Sequence, residues 1–277
     1  MSDVSLVVPC YNVERYISET LDSFFELSPK PKEIICVNDG SVDSTRDICK
    51  SYDVKIVDHG GNNGLAVARN TGVKEARGEF IAFLDADCCP ESDWLGLLFH
   101  EFTNEKVAGV GGRLMNRFVE SRAERWREVH VKQNWGDKLR QNPRYLSGSN
   151  NIYRKKALLE VGLFNPIYKT NYEDVDISTR LMESGWTLIY APSAKVWHLR
   201  RDDDDSVLRM LWGHRQHSIG SFSTSSVIKR LARNFGSGFI YTIEDFVNMR
   251  LDFLSLDLRF GFNQTRQDYT RRWKMQK

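Results

Sequence analysis

Two aspartates one residue apart, Asp85 and Asp87, end the apolar run that opens the stretch FLDADCCPESDWL, residues 83–95. On an extended segment side chains two apart point the same way, so both carboxylates face one crevice and Ala86 leaves room between them. Carboxylates so placed repel each other unless a cation compensates. Hard oxygen ligands select Mg²⁺ or Mn²⁺, which typically takes one or two protein carboxylates and completes its octahedron with water and substrate phosphates. The competing reading is a solvated turn over DADCCPESD, with Glu91 or Ser92 opening the next helix.

A second group of acids lies in NYEDVDISTRLMESG (171–185), which reads as a helix closed by Gly185. Its apolar stripe, Ile177, Ser178 and Leu181, extends back three residues onto Asp174, while Asp176 and Arg180 form an i,i+4 pair on another face. Asp174 therefore continues the buried side at the helix entrance. Desolvation there raises a carboxylate's pKa and makes it a better proton acceptor, and the helix N-terminus opposes that shift. Thr170 and Glu173 fit a capping box, so Glu173 reads equally as a cap or as part of a site. His198 ends the apolar run VWHL. It reads either as a core histidine or as a nitrogen ligand for a metal held by Asp87.

The elements that must position these groups follow from periodicity. Short β-rich runs at 4–8, 33–37, 54–57 and 79–84 alternate with helical patterns, which predicts an α/β layer with a largely parallel sheet. Val13, Tyr16, Ile17, Thr20, Leu21, Phe24 and Phe25 make an amphipathic helix, and Leu65, Ala68, Gly72 and Ala76 make a narrow small-residue face for close helix–sheet packing. Ligands of such sheets sit beyond the carboxyl ends of the strands. Those ends read PCYN, NDGS and DAD. None is a GxGxxG or GxxxxGK[ST], so a phosphorylated ligand here is neutralised by something other than a glycine cradle.

The formal charge of +2 over 277 residues does not mark a nucleic-acid binder, and 41% hydrophobic residues suffice for a packed core. No run approaches a membrane span and the N-terminus lacks a signal-peptide pattern, which predicts a cytoplasmic protein, with a peripheral membrane position left open. Five cysteines, an odd count without a CxxC, predict neither a disulfide framework nor a zinc site. Residues 117–145 read as a helix followed by a mobile loop. YLSGSNNIYRKKALLEVGLFN (145–165) reads as a strand and short helix. Residues 227–277 carry ten lysines or arginines against five acids, interleaved with aromatics. That tail reads as a helical appendage packing on the catalytic domain or forming a homodimer contact, or as a surface for an anionic membrane.

In order, VSLVVPCYN, VNDGS, GLAVARNTG, EFIAFLDAD, GSNNIYRKKALLEVGLFN and NYEDVDISTRLMESG resemble the motifs of family 2 glycosyltransferases with the GT-A fold, over roughly residues 3 to 200. The resemblance implies a Rossmann-like, mainly parallel sheet flanked by helices, divided as 1–115 for the nucleotide-sugar, 116–205 for acceptor and catalysis, and 206–277 as a helical extension. It implies a nucleotide-diphospho-sugar donor, a divalent cation (Mn²⁺ or Mg²⁺), inversion at the sugar carbon, and a sugar or lipid-linked acceptor. Residue by residue, Pro9 and Tyr11 would frame the nucleoside and Asp39 would bond the base, with UDP favoured. Arg69 would lie near the nucleotide. Asp85 would approach ribose and metal, and Asp87 and His198 would ligate the metal. Gly148, Ser149, Asn150 and Asn151 would line the donor sugar, and Asp174 would be the base. The chain lacks the QxxRW of processive synthases, which points to one sugar per visit. A sugar-nucleotidyltransferase or a non-catalytic nucleotide-binding protein of the same fold are the alternatives.

Overall fold

The computed structural model describes residues 3–131, 133–215 and 224–275. Lys277, counted in the basic tail, lies outside them. In chain order the elements are β1 (Val4–Cys10), α1 (Ile17–Phe25), β2 (Glu33–Asn38), α2 (Thr45–Lys50), β3 (Lys55–Asp58), α3 (Leu65–Glu75), β4 (Phe80–Leu84), β5 (Cys88–Pro90), α4 (Trp94–His100), β6 (Val107–Asn116) and α5 (Arg122–His130). They continue with β7 (Arg140–Gln141), β8 (Asn150–Arg154), α6 (Lys155–Glu160), α7 (Glu173–Glu183), β9 (Thr187–His198), α8 (Asp204–Arg215), α9 (Thr224–Val247) and α10 (Leu254–Met275).

The strands form one sheet in the order β3-β2-β1-β4-β8-β6-β9-β5, with β7 paired to β9. Strands β3, β2, β1 and β4 run parallel, as the βα alternation predicts. Strand β8 returns antiparallel between β4 and β6, which makes the sheet mixed. Period-2 alternation then sorts the side chains. Leu6, Val8 and Cys36 join α1 on one face, while Val7, Ile35 and Phe83 join α3 and α7 on the other, and both faces are buried.

By contacts the chain divides into two compact units, Met1–Arg117 with Gln133–Arg200, and Phe118–Lys132 with Arg201–Lys277. The stretch 116–205, read from the sequence as one half of a catalytic domain, is thus shared between them. The first unit holds the whole sheet. The second is helical, with a core of Trp126, Leu208, Leu211, Phe253, Leu256 and Phe260.

Several local expectations change. DADCCPESD is not a solvated turn throughout, because Cys88–Pro90 pair with β9. Nor is the aspartate pair extended: Cys88 N–H donates to the Asp85 carbonyl at 3.1 Å and closes a turn over Ala86 and Asp87. Thr170 does not cap α7. Tyr172 stands at its entrance with φ 77° and makes no side-chain cap. A capping box exists instead at Ser121 and Glu124 of α5, a Ser-x-x-Glu signal present in the sequence and not read there. The acidic run at 202–205 runs into the start of α8.

The small face of α3 packs as the spacing predicts. A Cβ built on Gly72 would lie 2.1 Å from Val7 Cγ1. Gly72→Ala gains about 1 kcal/mol of helix propensity but overpacks a full interface at typically 1–3 kcal/mol. Urea unfolding is expected to show a net loss; an unchanged or raised midpoint would place α3 farther from β1.

Candidate active site

The sheet register builds the site. On β4, Ile81 and Phe83 face α3 and α7, so Asp85, next in that alternation, leaves the strand toward the same side. There it meets Arg69 of α3, whose Nη2 donates to Asp85 Oδ1 at 2.9 Å. Arg69 Nη1 donates to Glu173 Oε1, the first residue of α7. The guanidinium is 1% exposed and lies against the rings of Phe83 and Phe164. A buried cation with two carboxylates thus ties the end of β4 to the entrance of α7. Burial alone would lower the Arg69 pKa, but the carboxylates of Glu173, Asp85 and Asp174 raise it, so it stays charged.

Glu173 shares with Asp174 the buried side that the apolar stripe marks: it is 3% exposed and Asp174 is half-buried. Burial pushes the Glu173 carboxyl up to about 7, against the pull of Arg69 and with the push of Asp174. Asp174 is also raised, by burial first, although Arg69 and the N–H groups of Gly148 and Val175 oppose the shift. Gly148 N–H donates to its Oδ2 at 3.1 Å and Val175 N–H to its Oδ1 at 2.8 Å, which fixes the carboxylate's orientation. Tyr172, at φ 77°, bends the chain so that both acids enter together. A non-glycine residue there costs on the order of 1–2 kcal/mol, strain of the kind found at functional sites.

Past the turn, the antiparallel pairing of β5 with β9 sets Cys88 opposite His198. Leu199 N–H donates to the Asp87 carbonyl at 2.8 Å and locks that register. Asp87 Oδ2 consequently lies 3.2 Å from His198 Nε2, and the Cys88 thiol donates to Oδ1 at 3.7 Å. Burial raises the Asp87 carboxyl, yet His198, Arg200 and the Cys88 thiol outweigh it and hold it below the usual value. Asp85 goes the other way: burial and the Asp87 charge exceed the help of Arg69 and His198, and it is raised. Ligand atoms of Asp87, Cys88 and His198 lie within 4.8 Å of one another. An ionised carboxylate beside an imidazole, 23% and 15% exposed, with a second carboxylate across the turn, suits Mn²⁺ and, with its nitrogen donor, suits Mg²⁺ less.

Other expected positions have different stations. Pro9 is buried within β1. Cys10 accepts from Asp39 on the β2 side, so by alternation Pro9 faces β4, where pairing ends at Val7 and Phe83. Lacking an N–H, Pro9 lets the two strands part beneath Asp85. Tyr11 is 45% exposed and open to a ligand. Asp39 is 4% exposed and spends both oxygens on the protein, accepting from Asn63 N–H at 3.0 Å and Gly64 N–H at 2.8 Å, with His59 Nδ1 at 2.6 Å. It anchors the loop into α3. Arg69, which the resemblance puts near the nucleotide, bridges Asp85 and Glu173. Ala86 is 3% exposed, its carbonyl accepting from Thr20 Oγ1 at 3.0 Å. Asn150, expected on the donor sugar, is fully buried: it accepts from Trp94 Nε1 at 2.7 Å and donates to the Arg113 carbonyl at 2.9 Å. Ser149 is 6% exposed, with its hydroxyl 3.0 Å from that of Ser147. Asn151, also buried, donates to the Ser147 carbonyl at 2.6 Å. Only Gly148, which a Cβ would drive into the Arg69 guanidinium, borders the carboxylate cluster directly. Strands β1 and β2 and helix α2 bring Cys10, Cys36 and Cys49 into one buried group of free thiols.

A family model described as "Glycosyl transferase family 2" matches residues 5–162. The poly-beta-1,6-N-acetyl-D-glucosamine synthase of Staphylococcus epidermidis is 31% identical over 228 residues, 78% of this chain and 55% of that protein. The chain therefore spans little more than half the length of this curated relative. Among solved structures, the mannosyltransferase PcManGT from Pyrobaculum calidifontis, in complex with GDP-Man and Mn²⁺, superposes with TM-score 0.65 at 17% identity, covering 96% of this chain and 87% of that one. S. aureus TarS 1–349 in complex with UDP-GlcNAc gives TM-score 0.59 at 20% identity, over 76% and 66% of the respective chains. The shared fold is GT-A, a mixed, mostly parallel sheet flanked by helices.

Removing the tether should expose its energetic role. Arg69→Met leaves the buried Glu173 and the partly exposed Asp85 without their cation and is expected to cost about 3 kcal/mol at alkaline pH. Without Arg69 both folded-state pKa values rise further above their unfolded values. Protonation then favours the folded variant, and the penalty shrinks as pH falls toward about 5. Denaturant unfolding across pH checks this, and a penalty that is the same at both ends contradicts it.

Proposed function

The chain belongs to glycosyl transferase family 2, and from that premise we propose that it moves one sugar from a nucleotide-diphospho-sugar to an acceptor hydroxyl with inversion at the anomeric carbon. The observation that carries the reading is the Arg69 bridge, which brings the end of β4 and the entrance of α7 to one place. Donor and acceptor chemistry have to meet there. Asp87 and His198 would hold a divalent ion, with Asp85 contributing from across the turn. Bound there, the ion supplies charge compensation for the departing diphosphate.

The rest of the work falls to the chain's own groups. Asp174, raised above the ordinary aspartate range and oriented by two backbone N–H groups, accepts the proton of the acceptor hydroxyl. The acceptor oxygen forms its bond to the anomeric carbon as the bond to the diphosphate breaks on the opposite side. Glu173 and Arg69 hold α7 against β4, so Asp174 keeps its distance from the leaving-group side. Tyr11 offers an exposed ring to the base.

UDP is the donor nucleotide we favour, supported by the UDP-GlcNAc complex of TarS; the GDP-Man complex of PcManGT makes GDP the comparison. The S. epidermidis relative's name supports an acceptor in polysaccharide assembly, and the missing QxxRW favours one transfer per visit. No helix among the described residues is long and apolar enough to cross a membrane. On α9, Phe239, Ile240, Phe246 and Val247 are more than half exposed, which supports peripheral contact with a membrane carrying a lipid-linked acceptor.

Asp174→Asn is expected to lower kcat by about 10²- to 10⁴-fold while leaving the diphosphate's affinity unchanged. In the wild type, kcat/KM should fall as pH drops below neutrality, because protonation of Glu173 near 7 weakens the Arg69 bridge and protonation of Asp174 removes the acceptor. Release of diphosphate from a panel of nucleotide-sugars, with and without Mn²⁺, tests the assignment. Wild-type turnover by Asp174→Asn would remove Asp174 as the base, and release independent of Mn²⁺ and of Asp87 would remove the metal.

A further inference from the structure

Within the helical unit, three elements converge on a second set of ligating side chains. His130 of α5, Asp245 of α9 and Asp257 of α10 each place one ligand atom within 4.8 Å of the others. None is open to solvent: the His130 side chain is 2% exposed, Asp245 0% and Asp257 1%. The imidazole lies between the rings of Trp126 and Tyr241, with centroids 4.7 and 4.5 Å away, so the surroundings are apolar.

The outer oxygens of the two carboxylates are already held. Trp126 Nε1 donates to Asp257 Oδ1 at 2.6 Å, and Arg250 Nε donates to Asp245 Oδ1 at 2.6 Å. The inner oxygens face the cluster. Asp245 Oδ2 lies 2.9 Å from His130 Nε2, whereas Asp257 Oδ2 is buried with no hydrogen-bond partner. A buried carboxylate oxygen with no donor facing it, beside a second carboxylate, is costly unless an ion or a shared proton lies between them. Burial and the neighbouring Asp245 push the Asp257 carboxyl up to about 7, even though Trp126 pulls it down.

The local charges indicate what is missing. Asp245 and Asp257 are buried, and among the described residues Arg250 is the cation paired with Asp245; the half-exposed Glu244 adds a third acid, its Oε2 3.9 Å from His130 Nδ1. The acids outnumber the paired cation, an excess that a divalent ion offsets. A donor set of one imidazole and two carboxylates favours zinc-like ions over Mg²⁺ or Ca²⁺, which prefer all-oxygen sites. The Trp126 and Arg250 contacts are of the kind that orient metal-binding carboxylates from behind.

We propose that His130, Asp245 and Asp257 form a structural site for a divalent transition ion, Zn²⁺ foremost, that pins α5 to α9 and α10. It shares no residue with the Asp87–His198 pair and does not depend on the reaction proposed above. The competing occupant is a proton shared between the two carboxyls.

The test uses the full chain carrying Asp87→Ala and Cys49→Ala, so that neither the Asp87–His198 pair nor the group of three thiols competes for the ion. Equilibrium dialysis is expected to find about one Zn²⁺ per chain, and saturating Zn²⁺ to raise Tm by about 5 °C, with no shift from Mg²⁺. Adding Asp257→Asn should abolish both effects. Without metal the amide preserves the carboxyl's shape and supplies a donor toward Asp245, so that variant should be at least as stable as its parent in chelator. Co²⁺ absorption in the parent provides a readout independent of the variant's folding, and a tetrahedral band is expected. Zn²⁺ binding and Tm unaffected by Asp257→Asn, or a parent that binds no Zn²⁺ and gives no Co²⁺ band, would overturn the site in favour of the shared proton.

Discussion

A single buried guanidinium connects the two halves of the candidate site. Arg69 is surrounded by sheet, helix and two phenyl rings, and its charge is tolerable only because Asp85 and Glu173 reach it from different elements. Those carboxylates lie 88 positions apart in the chain. The cation fixes where β4 ends relative to where α7 begins, and therefore where Asp174 stands relative to Asp85. Gly148 follows from the same constraint, since a side chain there would collide with the guanidinium.

The other half of the site depends on backbone pairing. Strand β5 is three residues long, yet its ladder with β9 places Asp87 beside His198 to within hydrogen-bonding reach. The turn over Ala86 sends the two aspartates to different partners, Asp85 to a cation in the core and Asp87 to an imidazole at the rim. The same residue type therefore acquires opposite pKa shifts from opposite surroundings. A carboxylate held ionised beside an imidazole suits an ion, while one tied to the buried Arg69 suits positioning.

Local signals in the sequence were legible where one element decides the outcome. The four parallel strands, the amphipathic helix α1, the small face of α3 and the stop at Gly185 all follow from periodicity and turn chemistry, and the observed elements agree within a few residues. Glu173 and Asp174 precede Ile177 by four and three residues and both lie on the buried side of α7, and burial raises both carboxyls. What sequence could not give was pairing across the chain. Asp39, expected on the base, and Arg69, expected near the nucleotide, both make internal anchors that no sequence spacing shows. The bonds of Asn150 to Trp94 and to the Arg113 carbonyl are likewise pairings across the chain. The three-cysteine group and the His130 cluster were invisible for the same reason: their members share no spacing, only a fold.

The central claim is that one ion touches Asp87, His198 and the donor's diphosphate together. Pulsed EPR of Mn²⁺ bound to the protein with UDP tests this most directly. The account predicts ¹⁴N coupling from an imidazole and ³¹P coupling on the same ion, with the nitrogen signal lost in His198→Gln. Phosphorus coupling without nitrogen coupling in the wild type, or a spectrum unaltered by Asp87→Ala, would contradict it.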